Sequence, residues 1–237
     1  MGHWINTVRT YLQALQHLFY PHICLQCGMD ELHREQIICD ACETQLPFTH
    51  FEQMQNNPIE KIFWGRTNIS NAMAILFFTK ESMVQQIIFE LKYKQNKKAG
   101  YLFGRLIANA LVNNSKYSQI DYLIPIPISK RKLKKRGFNQ SLIICEAIIA
   151  NGYQVPIFTG LVTLREGATQ THKDRLQRSA ETHSLFSLTQ FNTLKGKHLL
   201  IIDDVITTGA TLETACACLM QAQPASIQIA TAAYTYY

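Results

Sequence analysis

The stretch "KGKHLLIIDDVITTGATLETACACLMQAQ", residues 195–223, constrains this chain more than any other. The apolar run 199–202 reads as a strand, and two adjacent acids, Asp203 and Asp204, follow at once. Val205 and Ile206 come next, then the turn "TTGAT" at 207–211, then a helical pattern. Strand, turn and helix in that order belong to a parallel sheet, whose ligands bind beyond the carboxyl ends of its strands. Two neighbouring carboxylates at such an end can accept hydrogen bonds from two neighbouring hydroxyls, as on a ribose. The turn offers backbone N–H groups and the hydroxyls of Thr207, Thr208 and Thr211. Gly209 permits close backbone approach, and Ala210 leads into the positive end of a helix dipole, which suits a phosphate monoester. A ribose hydroxyl pair beside a phosphate therefore fits this stretch. The other reading is an ordinary βα turn, because Asp, Thr and Gly are common at helix starts.

The rest of the chain repeats the alternation. "AMAILFF" (72–78), "DYLIPIPI" (121–128), "LVTL" (161–164) and "SIQIATAAY" (226–234) read as strands, the prolines placing the second at an edge or a strand end. "SMVQQIIFELKY" (82–93), "GYLFGRLIANALV" (100–112) and "NQSLIICEAIIA" (139–150) read as helices. This predicts an α/β fold: a Rossmann-like parallel sheet with helices on both faces. "WINTVRTYLQALQHLF" (4–19) reads as a helix docked on the protein's own core, since its polar face carries too little positive charge for a membrane-surface helix. "FEQMQNNPIE" (51–60) is polar, contains Pro58 and reads as a linker. The expected division is 1–60, an N-terminal helix with a metal-binding module, and 61–237, the larger domain. No apolar run approaches the roughly 18 residues of a membrane span. With no signal-peptide pattern at the N-terminus, the expected location is the cytoplasm.

Cysteines mark the N-terminal module. "CLQC" supplies Cys24 and Cys27, and "CDAC" supplies Cys39 and Cys42. Two C-x-x-C pairs at this separation are a metal-ligand spacing, each turn bringing two thiolates to one ion. Gly28 supplies the backbone freedom such a knuckle needs. Zinc held by four thiolates has no open position, so its role would be structural. An iron–sulfur cluster and two redox pairs are alternatives, as are two disulfides, which need an oxidising compartment. Cys145, Cys216 and Cys218 fall in apolar, helix-like segments and read as small buried side chains.

The net charge of +6 has one address. "SKRKLKKRG", residues 129–137, holds Lys130, Arg131, Lys132, Lys134, Lys135 and Arg136 and no acid. Without these six, basic and acidic residues balance at 17 each. Such a run is either a solvated helix start or loop, or an attractor for phosphate, whether of a small molecule or of a nucleic-acid backbone.

"LLIIDDVITTGAT" (199–211) resembles the phosphoribosyl diphosphate (PRPP) motif of type I phosphoribosyltransferases. "CLQCG" with "CDACETQLP", "ELKYKQNKKAG" containing Lys92, and "LIPIPISKRKLKKRGFNQS" with "RGFNQ" at 136–140 are similar to stretches of the ComF family of competence-associated proteins, in the same order. The resemblance implies that Asp203 and Asp204 take the ribose 2- and 3-hydroxyls, and that Thr207, Thr208, Gly209, Ala210 and Thr211 hold the 5-phosphate. It places pyrophosphate at the turn 126–130, with Pro127, Ile128 and Ser129, and sets Arg131 and Arg136 close by. It makes 165–178 a loop that closes over substrate, with Arg165 and Arg175 catalytic and Thr169, Gln170 and Arg178 fitting its pattern. Glu181 stands where the family usually has asparagine.

The implied chemistry is transfer at the anomeric carbon of ribose, magnesium and basic side chains stabilising the departing pyrophosphate. Three functions compete. One is phosphoribosyl transfer to an unknown acceptor. Another is non-catalytic sensing of PRPP or a nucleotide. The third is a DNA-uptake role in which Lys130, Lys132, Lys134 and Lys135, with the zinc module, meet single-stranded DNA or a helicase-like translocase. Phe63, Trp64, Tyr93 and Phe138 are candidates to stack bases, although core packing also accounts for aromatic residues.

Overall fold

A computed structural model describes residues 23–29, 32, 35–112, 114–164 and 185–235. The chain divides into two compact units, Met1–Leu46 and Pro47–Tyr237. The helix expected at 4–19 lies outside the described residues.

In the first unit a tight turn is closed by two backbone bonds, from the Gly28 N–H to the Cys24 carbonyl at 3.0 Å and from the Cys24 N–H to the Met29 carbonyl at 2.7 Å. Gly28 has φ of 76°, which accounts for glycine there. A short helix α1, Asp40–Glu43, follows.

The stretch 51–60, expected as a linker, lies inside the second unit, and that expectation fails. Residues 51–53 form a 3-10 turn and α2 spans Pro58–Phe63. Asn57, 1% exposed, caps α2 by accepting from the N–H groups of Ile59 and Glu60. Its amide donates to the carbonyls of Phe51 and Ala72. All four bonds are made inside the unit, so this polar stretch is an anchored cap rather than a spacer.

Four parallel strands follow: β1 (Asn71–Phe78), β2 (Tyr122–Pro125), β5 (His198–Ile206) and β6 (Ser226–Thr235), in the spatial order β1-β6-β5-β2. The helices are α3 (Met83–Tyr93), α4 (Lys97–Val112), α5 (Lys130–Arg136), α6 (Gln140–Ala150) and α7 (Ala210–Met220). Residues 199–202 of β5 and 227–233 of β6 are buried without a break. Alternate residues of a strand face opposite sides, so both faces of the sheet are covered, as a parallel sheet requires. The helices α4 and α6 pack at backbone contact. A Cβ on Gly104 would sit 2.4 Å from the Ala147 Cβ and 2.6 Å from the Ile144 carbonyl oxygen. No described helix is long and apolar enough to cross a membrane.

Two expectations about strands need correction. "LVTL" does not join the sheet: β3 (Leu161–Thr163) pairs antiparallel with β4 (Phe186–Leu188), a strand the pattern did not show. Only Leu161 of β3 is buried, whereas Val162 and Leu164 are exposed, and such a segment cannot lie in a sheet covered on both sides. The other correction concerns the acid pair, which does not end its strand. β5 runs on to Ile206, pairing Val205 with Ala233 and Ile206 with Tyr234 of β6.

Candidate functional site

Unequal strand lengths create the site. β2 stops at Pro125, opposite Ile202, so β5 has a strand neighbour only on its β6 side from Asp203 onward. The chain leaves β2 through the turn 126–129, held by the Ile126 N–H on the Ile202 carbonyl at 3.0 Å. Asn139 fixes the other side of this turn, donating to the Ile126 carbonyl at 3.0 Å while it caps α6 through the Ser141 N–H. The cap brings Ser141 to Asp203: its hydroxyl donates to Oδ1 at 3.1 Å, and the Asp204 N–H donates to the same oxygen at 2.9 Å. Asp204, 7% exposed, is paired through Oδ1 with the Lys92 ammonium of α3 at 2.8 Å.

These groups share a cleft of about 410 Å³. Its walls include Lys92, residues 126–129, Lys132, Arg136, Ser141, the acid pair and Thr211. Burial, and next the Asp204 carboxylate, push the Asp203 carboxyl up to about 7, against the pull of the Asp204 N–H, Lys92 and Ser141. A carboxyl pair in this state can accept from neighbouring hydroxyls, and the basic wall can neutralise a phosphate or diphosphate.

The turn 207–211 links β5 to α7. Gly209, at φ of 76°, is the N-cap of α7, and no side chain caps that helix. A Cβ on Gly209 would meet the Ile62 Cγ2 at 2.7 Å, so both backbone angle and space demand glycine. Thr207, Thr208, Ala210 and Thr211 are exposed around it. Glu213 in the first turn of α7 pairs with Arg66 at 3.0 Å.

The cleft collects Asp203, Asp204, Pro127, Ile128, Ser129, Arg136 and Thr211. Thr207, Thr208, Gly209 and Ala210 do not line it and belong to the adjoining turn. Of the basic segment, Lys132 lines the cleft with Arg136, while Lys130, Arg131, Lys134 and Lys135 are exposed outside it. Arg165, Thr169, Gln170, Arg175, Arg178 and Glu181 lie outside the described residues. Phe63 is 1% exposed and packs in the core, which removes it as a stacking surface. Sequence reasoning gave no role to Ser141 or Asn139 and quoted Lys92 without a partner. An asparagine opening a helix directly after a basic glycine turn was the available sign of the Asn139 cap.

The first unit holds the other cluster. The Sγ atoms of Cys24, Cys27, Cys39 and Cys42 lie within 4.8 Å of one another. Those of Cys27 and Cys39 are 3.7 Å apart, close to the edge of a tetrahedron with metal–sulfur bonds of about 2.3 Å. Burial opposes ionisation of Cys24, but the N–H groups of Cys27, Cys39 and Gln26 overcome it and bring the thiol down to about 6. Burial and the neighbouring thiols push Cys42 the other way, up to about 12. The four-cysteine cluster can hold a metal ion, whose charge would offset the crowding of thiolates.

Known proteins resemble this chain in sequence, and one family model falls within the second unit. The phosphoribosyl transferase domain model matches residues 154–235. The chain is 26% identical over 211 residues to competence protein ComFC of Bacillus subtilis (strain 168), an alignment covering 84% of this chain and 72% of that one. It is 25% identical over 211 residues to the DNA utilization protein YhgH of Salmonella typhimurium, covering 87% and 82%. Among solved structures it is similar to the glutamine PRPP amidotransferase of B. subtilis, at 16% identity and a TM-score of 0.43, over 60% of this chain and 30% of that one. With the four cysteines, the "RGFNQ" stretch and the acid-pair strand in this order, the chain is similar to proteins of the ComF family, with a phosphoribosyltransferase-like domain preceded by a four-cysteine cluster.

Proposed function

We propose that the cleft binds PRPP and that the protein serves the handling of incoming DNA. The observation that carries the first half is the acid pair, held by Ser141 and Lys92 within a cleft whose other charged lining residues, Lys132 and Arg136, are both basic. Asp203 and Asp204 accept from the two ribose hydroxyls. The turn 207–211 takes the 5-phosphate on its backbone N–H groups and threonine hydroxyls. Pyrophosphate lies against the 126–129 turn, with Arg136 and Lys132 drawing its charge. Magnesium, when bound with PRPP, neutralises the diphosphate and favours its departure. Arg131 follows the same turn in sequence, and Arg165 and Arg175 are assigned to catalysis by the family resemblance alone. Zinc on Cys24, Cys27, Cys39 and Cys42 stabilises the first unit and takes no part in chemistry.

The names of the aligned relatives, a competence protein and DNA utilization proteins, support the second half. The basic segment 129–137 supplies charge for a nucleic-acid backbone. Calorimetric titration with magnesium and PRPP tests the cleft. Micromolar binding by the wild type, abolished in Asp203→Asn/Asp204→Asn with the fold intact, supports it. Equal affinity in the double variant would remove the ribose assignment. Transfer is tested by pyrophosphate release from PRPP with nucleobases and with oligonucleotides as acceptors. Binding without release under all of these favours sensing over catalysis.

A further inference from the structure

We infer that Phe89 and Tyr93 of α3, flanked by Lys135 of α5, form a stacking platform for unpaired bases of a single-stranded nucleic acid at the rim of the cleft. Four residues apart on a helix, the two side chains share a face. Their ring centroids are 5.1 Å apart and their planes are inclined at 42°. Phe89 is 48% exposed and Tyr93 54%, while the opposite face of α3 buries Val84, Ile87, Ile88 and Leu91. The core of the unit therefore does not use these two rings.

A cation stands beside them. The Lys135 ammonium lies 5.8 Å from the Tyr93 ring centre, and Lys97 stands 5.7 Å from that of Phe138. Glu90, on the same turn of α3, is engaged by the Asn96 amide at 3.1 Å. α5 contributes on both sides, Lys135 over the platform and Lys132 with Arg136 in the cleft wall. Similarly, α3 carries Tyr93 outside and, one residue earlier, Lys92 in the cleft.

This combination selects its ligand. An aromatic face stacks on any base, and an ammonium beside it meets the phosphate of the same nucleotide. Bases within a duplex do not offer their faces, so the strand must be single. The chain's whole excess of positive charge lies in the same stretch as Lys135, which matches a polyanion. This assignment rests on the nucleic-acid half of the function proposed above and adds the surface that reads the bases.

The test compares oligo(dT) with an abasic strand of equal length on the wild type, on Phe89→Ala/Tyr93→Ala and on Lys134→Ala/Lys135→Ala, each across a salt series. PRPP titration serves as an independent check of the fold. The wild type should prefer oligo(dT) to the abasic strand. Phe89→Ala/Tyr93→Ala should lose about tenfold or more in oligo(dT) affinity, keep its salt slope and bind PRPP as before. Lys134→Ala/Lys135→Ala should flatten the salt slope by about 1.4 units, at roughly 0.7 per phosphate contact. Equal oligo(dT) affinity in Phe89→Ala/Tyr93→Ala and wild type overturns the platform while leaving the DNA role standing. A wild type that binds no oligonucleotide overturns both and leaves PRPP binding untouched. A concentration-dependent dimer lost in the aromatic variant would assign the patch to a second copy of the chain and overturn the platform.

Discussion

Lys92 Nζ stands 2.8 Å from Asp204 Oδ1, so one half of the acid pair already has a cation from within the chain. The pair is largely sheltered, with side chains 19% and 10% exposed. Removing the lysine leaves two carboxyls side by side with one fewer positive charge. Lys92→Met should destabilise the protein at neutral pH by roughly 2–4 kcal/mol. Adding Asp204→Asn should recover much of the loss. Urea unfolding of the three variants measures this, and an unchanged midpoint in Lys92→Met would show the pair to be inert.

Asp203 gives the protein a pH dependence of definite sign. Its carboxyl is raised from an ordinary 3.8 to about 7 in the folded chain, so the folded state holds more protons than the unfolded one between those values. Its contribution to stability is fullest below about pH 4 and is lost as pH rises to about 7. Under the ribose assignment proposed above, PRPP should bind more tightly over the same rise, as the pair ionises. Asp203→Asn should abolish this component of the stability slope, as read by unfolding at pH 5 and pH 8. A slope identical to wild type would mean another group titrates.

Gly104 sets the distance between α4 and α6. A methyl group there meets a side chain at 2.4 Å and backbone at 2.6 Å, and backbone cannot move aside cheaply. Gly104→Ala should cost about 1–3 kcal/mol even though alanine favours the helix by about 1 kcal/mol. Gly100→Ala meets the Ile143 Cγ2, a side-chain end, at 2.6 Å and should cost less. Thermal midpoints in the order wild type, Gly100→Ala, Gly104→Ala check the ranking, and the reverse order would refute it.

The cysteine cluster should bind about one zinc per chain. Cys24→Ser should release it and unfold the first unit, because metal binding and folding share their free energy at such sites. Metal analysis with proteolysis of residues 23–46 reads the result. Metal-free protein with unchanged protease resistance would count against the assignment.

Much of the fold was legible because parallel strands buried on both faces write themselves as apolar runs, as at 72–76 and 199–202. β3 misled because four apolar-leaning residues look alike whether one face or both are covered. β4 escaped notice because three residues carry no period. At the site, residue types announced the acid pair and the cysteines. Their partners did not announce themselves: Lys92 and Ser141 meet the acids across more than 60 residues of chain, and only the packing of α3 and α6 brings them there. The linker reading failed because a buried asparagine and a surface asparagine are the same letter until the four bonds of Asn57 are counted.

The helix α5 buries none of its residues. Its position is fixed at its two ends, by Ser129, whose hydroxyl accepts from the Lys132 N–H at 3.4 Å, and by Gly137, left-handed at φ of 79°. Substitutions between those ends leave the core untouched, so the charge and reach of this helix can drift from one homologue to another at little cost in stability. Ser129 and Gly137 do not share that freedom. Ligand preference in such a lineage can diversify along the six exposed positions 130–135 while the scaffold stays the same.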